Sequence, residues 1–421
     1  LTMARKMKDS GIEWIGEIPE GWELIKAKYL FSPRNEKGNS TLVLLSPTQK
    51  YGVIPQSQLD GVVQVKESTD LRAFKTIHIG DFVISLRSFQ GGFEFSNYEG
   101  VCSPAYQVFH ATKDLSNDFF RNLFKSDGFI SKINSLTVGI REGKNIQYLD
   151  FSNMLLAVPP KEVQIRSAQY LKTKCTEIDT MLSKTRSSIE EYKKLKQAVI
   201  TQAVTKGVRG EREMKDSGVE WIGEIPAEWS ITKIKSGVTK IGSGKTPSGG
   251  AETYTDSGVI FLRSQNVYDC TLNLESPTYI SPEVDATMKS TRVLPDDVLL
   301  NITGGSIGRC SIVPKTLGLA NVNQHVCIIR TNPLIFLPKY MQYFWVSTLG
   351  HLAIDLYQTG GNREGMSADA IRNTPIPYAP LNEQKEIADY LDAKCAEIDG
   401  LIAKKEQLVK ELESYKKSLI Y

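Results

Sequence analysis

The sequence predicts an α+β protein: two mixed α/β bodies held apart by a pair of long helices forming a coiled coil, the whole built as an internal repeat. Three observations predict it. A short head is written twice, a longer tail is written twice, and both tails carry apolar residues at heptad spacing.

The heads come first because a repeat fixes architecture. Met7 to Pro19 reads MKDSGIEWIGEIP and Met214 to Pro226 reads MKDSGVEWIGEIP, so twelve of thirteen positions match at an offset of 207. The tails match at an offset of 220: Pro160 to Asp179 ends in YLKTKCTEID, and Pro380 to Asp399 ends in YLDAKCAEID. Between these markers only echoes persist. Gly80-Asp81-Phe82-Val83-Ile84 resembles Asp296-Asp297-Val298-Leu299-Leu300, and Arg141-Glu142-Gly143 matches Arg363-Glu364-Gly365. The chain therefore divides into a head (1–19), a body (20–158), a tail (159–210), a second head (211–226), a second body (227–379) and a second tail (380–421).

Each tail reads as a helix. The first places Leu171, Cys175, Ile178, Leu182 and Ile189 on alternating three- and four-residue steps, and the second places Leu391, Cys395, Ile398, Ile402 and Val409 likewise. Such a seam predicts a left-handed coiled coil. Thr185 and Lys405 are polar residues at equivalent seam positions, of the kind that fixes register at some cost in stability. Pro159-Pro160 and Pro380 suit a helix entrance. The first tail runs to about Lys206 before Gly207, and ~45 residues at 1.5 Å each give a rod of roughly 65 Å. The second is expected to be shorter or frayed, since it reaches Tyr421 where the first continues through Thr201 to Gly210.

The bodies read as mixed α/β. Phe82 to Leu86, Val259 to Leu262, Val298 to Ile302 and Val326 to Ile329 are short β-rich runs between Gly, Pro, Asn and Ser. Asp118 to Asn134 and Leu337 to Tyr357 look helical and aromatic-rich.

Composition narrows the class. Of 421 residues, 41% are hydrophobic and 24% charged, which suits a soluble chain of several domains. No apolar run approaches the ~20 residues that span a bilayer, and Leu1 to Ser10, with Arg5, Lys6 and Lys8, does not read as a signal peptide. Six cysteines without close pairs indicate neither a disulfide framework nor a zinc site; a reducing, cytoplasmic setting is expected. Basic charge is local: residues 161–212 hold 12 Lys and Arg against 6 Asp and Glu, while residues 20–158 hold 15 against 14 and residues 227–380 hold 13 against 12. A chain that grips DNA with bodies so nearly neutral needs partners to share the phosphate contacts.

Catalytic motifs fail on inspection. Gly242-Ser243-Gly244-Lys245-Thr246 lacks the earlier glycine of a phosphate loop, having Thr239 there, and Pro247-Ser248-Gly249-Gly250 cannot open the helix that would hold a phosphate. Asn373-Thr374-Pro375-Ile376-Pro377-Tyr378 carries insertions that destroy the tight turn of an amino-methylating motif. His78, His110, His325 and His351 are scattered, and Asp296-Asp297 lacks the downstream acidic-x-Lys of a nuclease and suits a turn before a strand. No catalytic residue, metal ligand or cofactor is assigned.

The duplicated head D-S-G-x-E-W-I-G-E-I-P, two divergent bodies, and tails of the form E-Q-x-x-I-A-x-Y-L-x-x-K-x-x-E-I-D resemble the specificity subunits of type I restriction-modification systems. The second tail carries Glu383-Gln384, Ile387-Ala388 and Glu397-Ile398-Asp399, whereas the first has Val163-Gln164 and Ser167-Ala168. The resemblance implies that each body is a target recognition domain reading one half of a bipartite sequence in double-stranded DNA. It implies that the tails pair antiparallel as a ruler, that two methyltransferase subunits dock on the shared regions, and that restriction subunits complete the enzyme. The chain itself would be non-catalytic.

Arg, Lys, Asn and Gln distinguish base edges, with Ser and Thr less specific, so loops rich in them beside glycine are the candidates for DNA contact. In the first body these are Arg87, Ser88 and Gln90, then Arg141, Lys144 and Asn145; in the second they are Arg263, Ser264, Gln265 and Asn266, then Thr303 with Arg309, then Asn362 and Arg363. Because the Arg-Glu-Gly triplet recurs, it also suits a scaffold role. Two rival readings are a coiled-coil scaffold joining two protein-binding domains and the recognition subunit of a bifunctional enzyme outside type I. A salt-series gel shift separates the first from DNA recognition, and methyl transfer by the isolated chain would establish a third, a standalone methyltransferase.

Overall fold

A computed structural model describes residues 6–37, 42–59, 71–136, 146–358 and 365–419. The chain divides into unit 1, Leu1–Thr185 with Leu408–Tyr421, and unit 2, Arg186–Gln407. Each unit thus holds one head, one body and a length of both tail helices.

The D-S-G signature of the heads is a turn written in side chains. Met7–Asp9 pairs antiparallel with Glu17–Pro19, and Met214–Asp216 with Glu224–Pro226 in the same register. The Asp9 carboxylate accepts a 2.9 Å hydrogen bond from the Gly11 amide, as Asp216 does from Gly218. Gly11 and Gly218 sit at φ +67° and +75°, where a Cβ would be strained.

Each body begins and ends as two strands lying side by side. Glu23–Lys26 pairs with Leu155–Val158, and Ser230–Lys233 with Pro375–Tyr378, both antiparallel. Inside this clasp the first body forms a sheet from β1 (Phe31–Arg34), β2 (Phe82–Ile84), β3 (Glu94–Phe95) and β4 (Gln107–Ala111), in the order β1-β4-β2-β3. The second uses β5 (Val238–Ser243), β6 (Val298–Asn301), β7 (Cys310–Ile312) and β8 (Val326–Thr331), in the order β5-β8-β6-β7. The two orders are the same, and every pairing is antiparallel. Body 2 adds a mixed sheet of Tyr254–Thr255, Thr278–Ile280, Val259–Leu262 and Ala320–Val322.

A buried ion pair marks the same corner of both sheets. Asp81 enters β2 and Asp297 enters β6, each behind a residue at positive φ, Gly80 at +94° and Asp296 at +68°. Asp81 accepts the His78 amide at 2.9 Å and a two-pronged grip from Arg34 at 2.7 and 3.1 Å. Asp297 accepts the Leu294 amide at 2.7 Å and the same grip from Arg330 at 2.6 and 2.7 Å. Charges so buried are tolerated because both oxygens of each carboxylate are hydrogen-bonded and a guanidinium balances the charge. The turn expected at Asp296-Asp297 is this one.

Around the sheets the cores differ. Body 1 is filled by Phe31, Phe82, Phe93, Phe109, Phe124 and Phe151 among others, packed mostly edge-on or tilted as ring quadrupoles favour. In body 2 the corresponding core is largely aliphatic near the sheet, with Tyr340, Phe344 and Trp345 behind it. The expected helical stretches each break in two, as Asn117–Leu123 with Asp127–Ser135 and Pro338–Val346 with Thr348–Tyr357. Ser126 and Ser347 cap the second member of each pair.

The tails are α1 (Lys161–Lys206) and α2 (Leu381–Ser418). Their antiparallel pairing is legible in unit 2. In unit 2 Lys196 holds Asp399 at 2.7 Å and Arg209, just past α1, holds Glu386 at 2.8 Å, so α1 advances 13 residues while α2 retreats 13. In unit 1 Lys416 holds Asp179 at 2.6 Å. Of the seam residues, Ile178, Leu182, Ile189, Leu391, Cys395 and Ile398 are buried, and Leu171, Cys175, Ile402 and Val409 are half-buried. Thr185 and Lys405 are half-buried as well, and the Lys405 ammonium lies 5.6 Å from the Tyr192 ring.

One glutamine per tail ties helix to body. Gln164 accepts the Ser116 amide at 2.9 Å and donates to the Pro159 carbonyl at 2.8 Å. Gln384, its twin at offset 220, accepts the Leu337 amide at 2.9 Å and donates to Ile335 and Ala379 at 2.8 and 2.9 Å. Both lie inside the protein, which is the physical reason for the shared Gln in the tail signature.

Candidate nucleic-acid interface

Because β2 runs antiparallel to β4 and β6 to β8, the loop leaving one strand faces the loop entering its neighbour. In body 2 three of the candidate runs meet there. Asn301, closing β6, donates its amide to the Ser264 carbonyl at 2.8 Å and to the Ser306 hydroxyl at 3.1 Å. This fastens the Arg263–Asn266 turn to the Thr303–Arg309 loop. Gly365 pairs with Thr303 and the Met366 amide donates to the Ile302 carbonyl at 2.9 Å. That brings the end of the third run to the same place; Asn362 and Arg363 themselves lie outside the described residues.

The residues differ in what they leave free. Asn266 is buried, accepting the Arg263 amide and donating to the Asn273 carbonyl, so it builds its own turn. Gln265 is exposed and Ser264 half-buried. The Arg263 guanidinium lies 5.5 Å from the Tyr254 ring centre and that of Arg309 4.6 Å from the exposed Tyr268 ring, contacts in which a cation is attracted to the ring face.

A hydrogen-bonded chain unforeseen in the sequence crosses this end. The Thr246 hydroxyl donates to the Gln324 Oε1, the Gln324 Nε2 lies 3.0 Å from His325 Nε2, and His325 Nδ1 lies 2.6 Å from the Thr303 Oγ1. With the amide donating, the imidazole proton sits on Nδ1 and points at Thr303, leaving the Thr303 hydroxyl proton to spend elsewhere. Lys245 is exposed next to it, held by its amide on the Val322 carbonyl at 3.1 Å. Gly244 permits this: a Cβ there would stand 2.0 Å from the Val322 oxygen. The Gly-Ser-Gly-Lys-Thr run is thus a tight strand exit. The available signal was Asn323-Gln324-His325, a polar cluster directly before an apolar strand.

Body 1 repeats the placement with other residues. Arg87 and Gln90 are exposed in the loop after β2, while Ser88 is buried and accepts the Ser85 amide at 2.8 Å. Gln49 donates to the Arg87 carbonyl at 3.4 Å. Across from it, at the start of β4, Gln107 donates to the Ile146 carbonyl at 3.2 Å and accepts the Tyr148 amide at 2.6 Å. Arg141, Lys144 and Asn145, the run preceding Ile146, lie outside the described residues. Burial pushes the Tyr148 phenol up to about 12, so it stays a neutral donor, here to the Phe31 carbonyl at 2.8 Å. Among the described residues no group of three His, Cys, Asp or Glu could hold a metal ion.

Residues 226–411 match the family model described as the type I restriction modification DNA specificity domain. That stretch of the chain carries the type I restriction modification DNA specificity domain. Over 438 residues, spanning 96% of this chain and 93% of the relative, the chain is 24% identical to a putative type I restriction enzyme specificity subunit, MjaX, of Methanocaldococcus jannaschii. It is also 24% identical over 282 residues to the EcoBI specificity subunit of Escherichia coli, a match covering 65% of this chain but only 58% of that protein. In fold it is similar over 96% of its length to a chain from a type I restriction-modification assembly (TM-score 0.72, 16% identity, 97% of that chain covered). It is likewise similar to the HsdS subunit of Thermoanaerobacter tengcongensis (TM-score 0.57, 16% identity, 96% of each chain covered). No helix among the described residues is long and apolar enough to cross a membrane.

Proposed function

We propose that this chain reads a bipartite sequence in double-stranded DNA, each body serving as a target recognition domain for one half-site. The observation that carries this reading is the repeated sheet order on divergent sequence. The same four-stranded order presents, at the same end, loops that share almost no residues. Structure of that kind fits two readers with one docking geometry and different base preferences.

Residues 20–158 are the first reader and 227–379 the second, with the tails 159–210 and 380–421 holding their separation. Arg87 and Gln90, with Arg141, Lys144 and Asn145, carry contact in the first. Arg263, Ser264, Gln265, Thr303 and Arg309, with Asn362 and Arg363, carry it in the second, joined by Lys245 and Gln324. Ser88 and Asn266 shape the loops from within. The heads and tails, alike in both halves, dock two copies of a methyltransferase subunit, and restriction subunits join that assembly. The chain contributes recognition and leaves methyl transfer and cleavage to them. It works beside the chromosome in the prokaryotic cytoplasm, a setting consistent with six free cysteines.

The test is exchange. Replacing residues 227–379 with those of a relative, co-expressing the methyltransferase partner and mapping methylated positions should alter one half of the target and keep the other. Alteration of both halves, or of neither, would refute the assignment.

A further inference from the structure

Three loops of unit 2 converge on the turn that carries Gln324. Within the turn, the His325 amide donates to Asn323 Oδ1 at 3.2 Å and the Val326 amide to the Asn323 carbonyl at 3.1 Å. The Asn323 amide in turn donates to the Leu262 carbonyl at 3.0 Å. The strand exit beside it is fastened by the Gly244 amide on the Val326 carbonyl at 3.0 Å, which brings Thr246 alongside. From the third loop, the Ile302 amide donates to the His325 carbonyl at 3.0 Å. A side chain on such a footing is set before any ligand arrives.

The Gln324 amide is held at both its oxygen and its nitrogen. Thr246 Oγ1 donates to Oε1, and Nε2 donates to His325 Nε2 at 3.0 Å. The imidazole accepts there and carries its proton on Nδ1, 2.6 Å from Thr303 Oγ1. Turning the amide over would set Oε1 against the imidazole lone pair. A carboxamide has two lone pairs on its oxygen and two protons on its nitrogen. With one of each spent on Thr246 and His325, one acceptor and one donor remain on an exposed side chain.

Gln107, at the entrance of β4 in body 1, shows the contrast. Its two amide protons go to the Ile146 carbonyl at 3.2 Å and Gln147 Oε1 at 3.3 Å, and its oxygen accepts the Tyr148 amide at 2.6 Å. That amide is spent on its own body; the Gln324 amide is anchored with half of its capacity in hand.

We propose that Gln324 reads adenine in the second half-site, and that His325 is the positioning residue that sets the direction of its amide. The remaining Nε2 proton meets N7, and the remaining Oε1 lone pair meets the N6 amino group. The assignment rests on body 2 being a target recognition domain. Adenine alone sets a donor beside an acceptor on its major-groove edge. Guanine would turn O6 against Oε1, cytosine offers a donor without the acceptor, and thymine an acceptor beside a methyl group.

The test is a cycle that pairs a change in the protein with a change in the base. The full chain is assembled with its methyltransferase partner, and binding is measured on duplexes carrying 7-deazaadenine or 7-deazaguanine, which lack the N7 acceptor, at single positions of the second half-site. At one adenine the deaza base should weaken wild-type binding about tenfold and leave Gln324→Ala binding unchanged. His325→Phe should cut the penalty at that same adenine to about threefold. A folding defect weakens binding to every duplex alike and cannot imitate this coupling. Equal penalties in wild type and Gln324→Ala at every adenine, a Gln324-dependent penalty at a guanine, or a second half-site without an A·T pair would overturn the proposal. An undiminished penalty in His325→Phe would overturn the positioning role. Exchange of residues 227–379 tests the underlying reading separately: if it alters one half of the target while the coupling is absent, the base assignment falls alone.

Discussion

Shortening the helical pair by one heptad is the most direct probe of the spacing role. The ion pairs of α1 and α2 define which residues to remove. From Lys196 opposite Asp399, the register places Ser188–Lys194 against Leu401–Gln407. Deleting both seven-residue stretches keeps the seam in phase and preserves the Lys196–Asp399 and Asp179–Lys416 contacts. At 1.5 Å per residue the pair loses about 10 Å, or roughly 3 base pairs at 3.4 Å each. Rotation does not follow translation. Roughly 3 base pairs of a ~10.5-pair turn is about 100° of DNA twist, whereas about 10 Å of a supercoil of ~150 Å pitch turns the helices by only about 25°. The variant should therefore methylate half-sites about 3 pairs closer together, and less efficiently, because the readers no longer address the duplex in phase. Inserting three heptads instead should lengthen the spacer by about 9 pairs, nearly a full turn, and retain more activity than the single deletion. Genome-wide methylation mapping with the partner subunits reads both outcomes. A folded deletion variant that kept its original spacer would refute the ruler.

Arg330→Ala should destabilise unit 2 by about 3 kcal/mol, because it strands the buried Asp297 carboxylate; urea denaturation reads this, and a loss under about 1 kcal/mol would count against it. Asp285 gives a pH signature. Burial opposes its ionisation, but hydrogen bonds from Arg292 and Asn321 outweigh that and hold the carboxyl below its ordinary 3.8. The folded form thus releases this proton more readily than the unfolded one, so the contribution is present above 3.8 and fades as pH falls through the lowered folded value. Asp285→Asn should flatten the acid limb of the stability curve, and an unchanged limb would contradict the assignment. At the interface, Arg309→Ala or Gln324→Ala should relax discrimination at the second half-site by about 1–3 kcal/mol, roughly 5- to 150-fold, and leave the first intact. Arg87→Ala should do the reverse, checked by methylation of half-site variants.

The frame was readable because its information is periodic. Heptad spacing located both tail helices, and the repeat marked both heads without showing that each folds as a hairpin. The common sheet order was hidden. β2 and β6 share an acidic turn and an apolar run, but β1 and β5, Phe31–Arg34 and Val238–Ser243, share no residue that marks them as the same edge strand. Long-range partners such as Arg34 with Asp81, or Gln384 with Leu337, are specified by tertiary packing and leave no local pattern. At the interface the candidate loops of body 2 were visible in composition, and their convergence was not. Asn301, His325, Gln324 and Thr246 act there through side-chain hydrogen bonds that span up to 78 positions.

The clasp that opens and closes each body has a genetic consequence. Because Glu23–Lys26 lies against Leu155–Val158, and Ser230–Lys233 against Pro375–Tyr378, a body departs from the frame and returns to it at adjoining points. A stretch of gene cut at those points can be traded as one cassette, provided the incoming body keeps the contacts that Gln164 or Gln384 makes with it. With two sockets of the same make, a lineage holding n such cassettes has on the order of n × n combinations within reach of recombination alone, and new specificities need no new framework.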